Sequence, residues 1–117
     1  MKNDLRHLHR RDLIKEIFAF CLVGENANTK DLSIEAKEIL AKNIEFDTQI
    51  SEFALKHKEN NIASIDRAIL YLALFELQNK TAPPKVILNE ALVLAHEYGS
   101  DKSSGFVNAV LAKIINI

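Results

Sequence analysis

Residues that break regular structure are scarce in this chain and oddly placed: 117 residues hold three glycines, and the two prolines stand side by side at Pro83 and Pro84. A fold of many short strands needs Gly and Pro at its tight turns, whereas long helices exclude both from their interiors. An all-α fold is therefore expected. The length falls within the roughly 100–200 residues of one core-bearing unit, which points to a single domain over residues 1–117. With 48% hydrophobic and 26% charged residues, the chain has enough apolar material to fold, unlike a disordered segment.

Hydrophobic spacing divides the chain into helices. Leu5, Leu8, Leu13, Ile14, Ile17, Phe18, Phe20, Cys21 and Leu22 recur close to a 3.6-residue period, with Arg6, Arg10, Asp12, Lys15 and Glu16 between them. This predicts an amphipathic first helix whose early part exposes a basic side, ended by the turn-forming residues Gly24 to Thr29. Asp31 or Ser33 can cap a second helix, with Ile34, Ala36, Ile39 and Leu40 inward. A third is expected from about Phe46 to Lys58, with Phe46, Ile50, Phe53, Ala54 and His57 on its inner face and Asn60-Asn61 as its stop.

Ser64 can cap a fourth helix, Ile65 to Leu77, which is apolar on nearly every side and so should lie at the centre of a bundle. Pro83 and Pro84 suit the start of a fifth, because proline in the first turn has no N–H to lose. Val86, Ile87, Ala91, Leu94, Ala95 and Tyr98 form its apolar face, and Gly99 fits a left-handed C-terminal stop. Ser103 or Ser104 can cap a last helix that turns Phe106, Val107, Val110, Leu111, Ile114 and Ile115 inward. Asn89 or Asn108 is expected to bond a neighbouring helix end or loop backbone.

Composition and spacing favour binding over catalysis. The single cysteine, Cys21, has no disulfide partner in the chain and lies in an apolar segment, as expected of an inert thiol in a reducing cytoplasm. No run approaches the roughly 20 apolar residues of a membrane span, so no membrane role is expected. His7 and His9 stand two apart, a spacing that does not share a helix face, while His57 and His96 are isolated near helix ends. Neither a phosphate-binding glycine loop nor a Cys/His metal spacing is present, so no metal, cofactor or catalytic residue is assigned. Charge is uneven: residues 1 to 15 carry five cations against Asp4 and Asp12, a net +3, and the remainder carries −4. A basic end on a mildly acidic body suggests contact with a polyanion.

His9-Arg10-Arg11-Asp12-Leu13 through Phe18-Ala19-Phe20, the segment Ile65 to Leu77, and the ordered run from Pro83-Pro84 through Tyr98-Gly99 to Phe106-Val107-Asn108-Ala109 together resemble the NusB family of bacterial transcription antitermination factors. The resemblance covers residues 6 to 23 and 62 to 115. It implies an all-α, NusB-like fold of two packed helical subbundles with about six to seven helices. It also implies a non-enzymatic role: binding boxA-type single-stranded RNA together with the ribosomal protein NusE, within the transcription elongation complex, during ribosomal RNA synthesis.

On that resemblance, the RNA-binding residues are Arg6, Arg10, Arg11, Lys15, Tyr98, Lys102 and Phe106, with Phe18 and Glu76 on the partner surface. The physical reading agrees in outline, since cations neutralise phosphates and aromatic rings stack on unpaired bases. Three positions depart from the family pattern: Lys102 where an acid is frequent, Gly105 where lysine is frequent, and Ala109 in place of glycine. The alternatives are a stand-alone relative of the NusB-like domain of ribosomal RNA cytosine methyltransferases, and a helical module that forms a homodimer without binding RNA.

Overall fold

Six α-helices and one 3-10 turn make up the regular structure among the described residues, 5–54 and 62–117 of the computed structural model. The helices are α1 (Leu5–Val23), α2 (Ile34–Ala41), α3 (Asn43–Phe53), α4 (Ser64–Asn79), α5 (Pro84–Tyr98) and α6 (Ser103–Ile115), with the turn at Gly24–Asn26. The expected end of the third helix near Lys58, its stop at Asn60-Asn61 and the placement of His57 lie outside the described residues. None of the helices described is long and apolar enough to cross a membrane.

α4 is the shared element of the bundle and packs against all five other helices, between the α1–α2 side and the α5–α6 hairpin. Its composition explains this: Ala68, Ile69, Leu70, Tyr71, Leu72, Ala73 and Leu74 are all buried, and a helix apolar all round is stable only when neighbours cover every face. Phe46 and Ile50 of α3, Ile87 and Leu94 of α5, and Val107 and Leu111 of α6 complete the core around it.

Helix ends follow local chemistry, with corrections to the sequence expectation. Ser33 does cap α2, its Oγ accepting from the Ala36 N–H at 3.1 Å, and Glu16 of α1 accepts from both the N–H and the hydroxyl of Ser33 at 2.7 and 2.8 Å. Ser64 does not cap α4 but lies inside its first turn, with Ala63 at the cap position. Likewise no side chain caps α6; the Ser103 hydroxyl instead accepts from the Ser100 N–H at 2.9 Å. Pro83 and Pro84 begin α5 as expected.

Gly99 is not left-handed. Its φ of −93° and ψ of −173° are extended, and its glycine is required for space: a Cβ there would stand 2.3 Å from the Ser103 hydroxyl.

The stripe of α1 that faces inward is also not the apolar one expected. Leu5, Leu8 and Leu22 are 83%, 41% and 65% exposed, while His7 and Arg10 are buried ahead of Leu13, Ile14 and Ile17. Ile34 and Val86, expected inward, face solvent as well. Asn89 and Asn108 are exposed rather than holding a neighbouring helix end.

Candidate nucleic-acid interface

The basic opening of α1 divides according to helix geometry. At 3.6 residues per turn each residue advances about 100°, so Arg6 and Arg11 stand about 140° apart whereas Arg11 and Lys15 are one turn apart on one side. Between the two sides lies Arg10, turned into the protein. Its guanidinium makes a two-pronged pair with Glu76 of α4, Nε to Oε2 and Nη2 to Oε1, each at 2.8 Å. Glu90 of α5 lies 3.4 Å from its Nη1.

The expectation that Arg10 projects outward, and that Glu76 reaches for a foreign partner, is therefore corrected: each is the other's internal partner. Glu76 is satisfied further by the Thr81 hydroxyl, which donates at 2.8 Å. The physical reason is desolvation, since two charges on buried faces of adjacent helices are tolerated only when paired and hydrogen-bonded.

His7 extends this polar seam, with Nδ1 3.4 Å from Glu90 and Nε2 3.1 Å from Glu97. Neither His7 nor Glu90 is among the residues expected at the site from sequence. The available signal was spacing: positions 7, 10, 13, 14 and 17 form one helical face, polar at its start. His9 and Arg6 point the other way, where His9 meets Glu35 of α2 at 2.6 Å.

On the opposite flank, Arg11 donates from Nε to the Tyr98 hydroxyl at 2.7 Å, with its guanidinium carbon 5.9 Å from the ring centre. That hydrogen bond holds the cation beside an aromatic ring at the end of α5 and raises the Arg11 pKa above its ordinary value. Lys15 follows one turn along α1 and is exposed. Lys102 is exposed at the entrance of α6, and Phe106 is half-buried one turn beyond it. These residues offer exposed cations beside two partly covered rings, a combination suited to unpaired, phosphate-linked bases.

A groove of about 150 Å³ lies on the Arg6 side, lined by Arg6, His9, Glu35, Phe75, Glu76 and Thr81 among others. Its floor is apolar, supplied by Leu13, Leu72 and Phe75. Phe18, expected to share a partner surface with Glu76, does not line this groove; it is half-buried against the core two turns beyond Arg10.

Away from both surfaces, Asp47 of α3 accepts hydrogen bonds from Arg67 and Tyr71 of α4. Burial pushes the nearby Cys21 thiol up to about 12, which leaves it protonated and inert at neutral pH. Among the described residues no group of three His, Cys, Asp or Glu side chains is arranged to hold a metal ion.

Residues 24–116 match the model of the NusB family. The match begins just after the arginine-containing helix. The chain is 46% identical over 70 residues to the transcription antitermination protein NusB of Agathobacter rectalis, covering 59% of this chain and 53% of that protein. Against the protein of the same name from Lachnoclostridium phytofermentans it is 38% identical over 86 residues, 73% of this chain and 65% of the other. The chain thus spans between half and two thirds of the length of these curated relatives. Its fold superimposes on T. maritima NusB with a TM-score of 0.79 at 25% identity, over 97% of this chain and 92% of that one.

Proposed function

Because the chain belongs to the NusB family, we propose that it acts as a single RNA-binding domain and antitermination factor. Its ligand is boxA-type single-stranded RNA, which it binds together with the ribosomal protein NusE in the elongation complex. The observation that carries the RNA reading is the Arg11–Tyr98 pair, with Lys15 on the same flank of α1 and Lys102 beside Phe106 at the adjoining hairpin. Exposed cations supply affinity for phosphates, and the rings supply surfaces on which unpaired bases stack. Nothing in this arrangement requires turnover.

Arg10 serves this role indirectly. Anchored to Glu76 and Glu90, it fixes the rotation of α1 about its axis and so directs Arg11 outward. The partner protein is assigned to the groove between α1, α2 and the end of α4, where Arg6, His9, Glu35 and Thr81 are the accessible polar groups. Glu76 lies beneath them as a structural acid.

The test is a titration of boxA-like and scrambled RNA at several salt concentrations, with and without NusE. Sequence preference that NusE strengthens is the expected result. Arg11→Ala combined with Lys15→Ala should lower the log–log salt slope by about one per lost phosphate contact. Glu35→Lys should weaken the effect of NusE while leaving binding of RNA alone intact. An unchanged salt slope would remove the Arg11 flank from the interface; equal binding of scrambled RNA would remove the boxA assignment.

A further inference from the structure

We propose that the outward stripe of α1 is a docking surface for a second copy of this chain, joined to the first antiparallel about a two-fold axis. Leu5, Leu8, Asp12, Lys15, Ala19 and Leu22 follow one another at alternating steps of three and four residues, which sets them in a single line along a helix. At about 100° per residue that line lies opposite Leu13, Ile14 and Ile17, the side that α1 turns to the core. All six are exposed, and Val23 extends the apolar end of the line. Whether the chain binds RNA has no bearing on this surface.

Apolar side chains scattered singly over a surface need no explanation. These repeat at the spacing by which one helix packs along another, and the two polar members of the line identify the occupant. When a copy of α1 is turned end for end about the midpoint between Leu13 and Ile14, Leu5 meets Leu22, Leu8 meets Ala19 and Asp12 meets Lys15, each contact occurring twice. A two-fold interface has to be self-complementary in this manner, with residue i on j and j on i. A parallel copy in register would set Asp12 on Asp12 and Lys15 on Lys15, so charge selects the antiparallel arrangement.

Among the described residues neither Asp12 nor Lys15 forms an ion pair or hydrogen bond within the chain, which leaves both to a second copy. The ends of the stripe also have room. A cavity of about 250 Å³ opens beside Ala19 and Val23 and is lined in part by Phe20, Ala27 and Leu32. In the antiparallel pair this is where Leu5 of the second copy arrives, the most exposed large apolar side chain among the described residues.

The experiment measures self-association by sedimentation at rising protein concentration, up to about 1 mM, for four proteins: the unaltered chain, Asp12→Lys, Lys15→Asp, and the chain carrying both changes. Nucleic acid is removed first, because RNA and the second copy compete for Lys15. The unaltered chain should form a dimer and nothing larger. Each single change sets like charges against each other twice per dimer, so association should weaken at least about tenfold. The double change exchanges the two charges and should restore the dimer. An equal mixture of the two single variants should restore it as well, since one copy then brings two cations and the other two anions. Melting temperatures of the dilute single variants should match that of the unaltered chain, both positions being exposed.

An unaltered chain that stays monomeric throughout overturns the pairing. So does a dimer indifferent to either single change, which would lie on another surface. Loss of the dimer that neither the double change nor the mixture repairs also overturns it, since complementary charge would then not be its cause.

Discussion

Arg10 and Glu76 show how far a residue's role depends on its surroundings: an arginine in a basic run and a glutamate in an apolar helix each suggest an external partner, yet they meet inside the protein. Arg10→Ala or Glu76→Ala alone should cost about 3–5 kcal/mol, because each strands a buried charge. Arg10→Met with Glu76→Leu should recover most of that loss, and urea midpoints of the three variants check it. Glu76→Lys, an obvious probe of partner binding, would disturb the fold first, so the exposed Glu35 is the better site for a charge reversal. Tyr71 gives a second residue-scale expectation. Burial first, then its hydrogen bond to Asp47, raises the phenol above its ordinary pKa. A raised folded-state value means its contribution is fully present below about pH 10, the unfolded value, and is lost as pH rises through the folded one. Denaturation between about pH 9 and pH 11 should therefore show a steeper loss of stability in the unaltered chain than in Tyr71→Phe.

Elements were legible wherever their signals are local. Pro83-Pro84 marks the start of α5 because an absent N–H and a fixed φ act within one turn, and Ser33 caps α2 through a bond three residues long. Caps were misread where a serine had a competing partner: Ser103 satisfies the Ser100 N–H, closing the connector from behind. Gly99 belongs to that same corner. Gly99→Ala would force its Cβ against Ser103 and, at 2.7 Å, against the Ala95 carbonyl oxygen. A loss of about 1–3 kcal/mol is expected from such overpacking, read as a lower melting temperature, while Gly105→Ala on the next helix should lose nothing. α1 shows the opposite difficulty. Its leucines at positions 5, 8 and 22 fit an apolar period yet remain exposed, because the face it buries is chosen by the pairing of His7 and Arg10 with α4 and α5.

At the scale of the whole molecule, packing separates cations that are neighbours in sequence. Arg6 borders the groove with His9 and Glu35, whereas Arg11 stands with Tyr98 on the far flank of α1. Replacing Arg11 by Ala should accordingly reduce the salt slope of RNA binding by about one, and Arg6→Ala should reduce it by less; parallel titrations of the two variants decide this. Equal reductions would mean that RNA wraps both flanks. The all-helical class, the start of α5 and the central place of α4 followed from sequence alone, because periodicity, scarce breakers and proline chemistry act over a few residues. Which charged groups face water did not, since it depends on groups far apart in the chain: Glu76 is 66 residues from Arg10, and Tyr98 is 87 from Arg11. Only the packed helices bring those pairs within bonding distance, and the cost of leaving a charge dry and unpaired then fixes which arginine is a strut and which is left to bind.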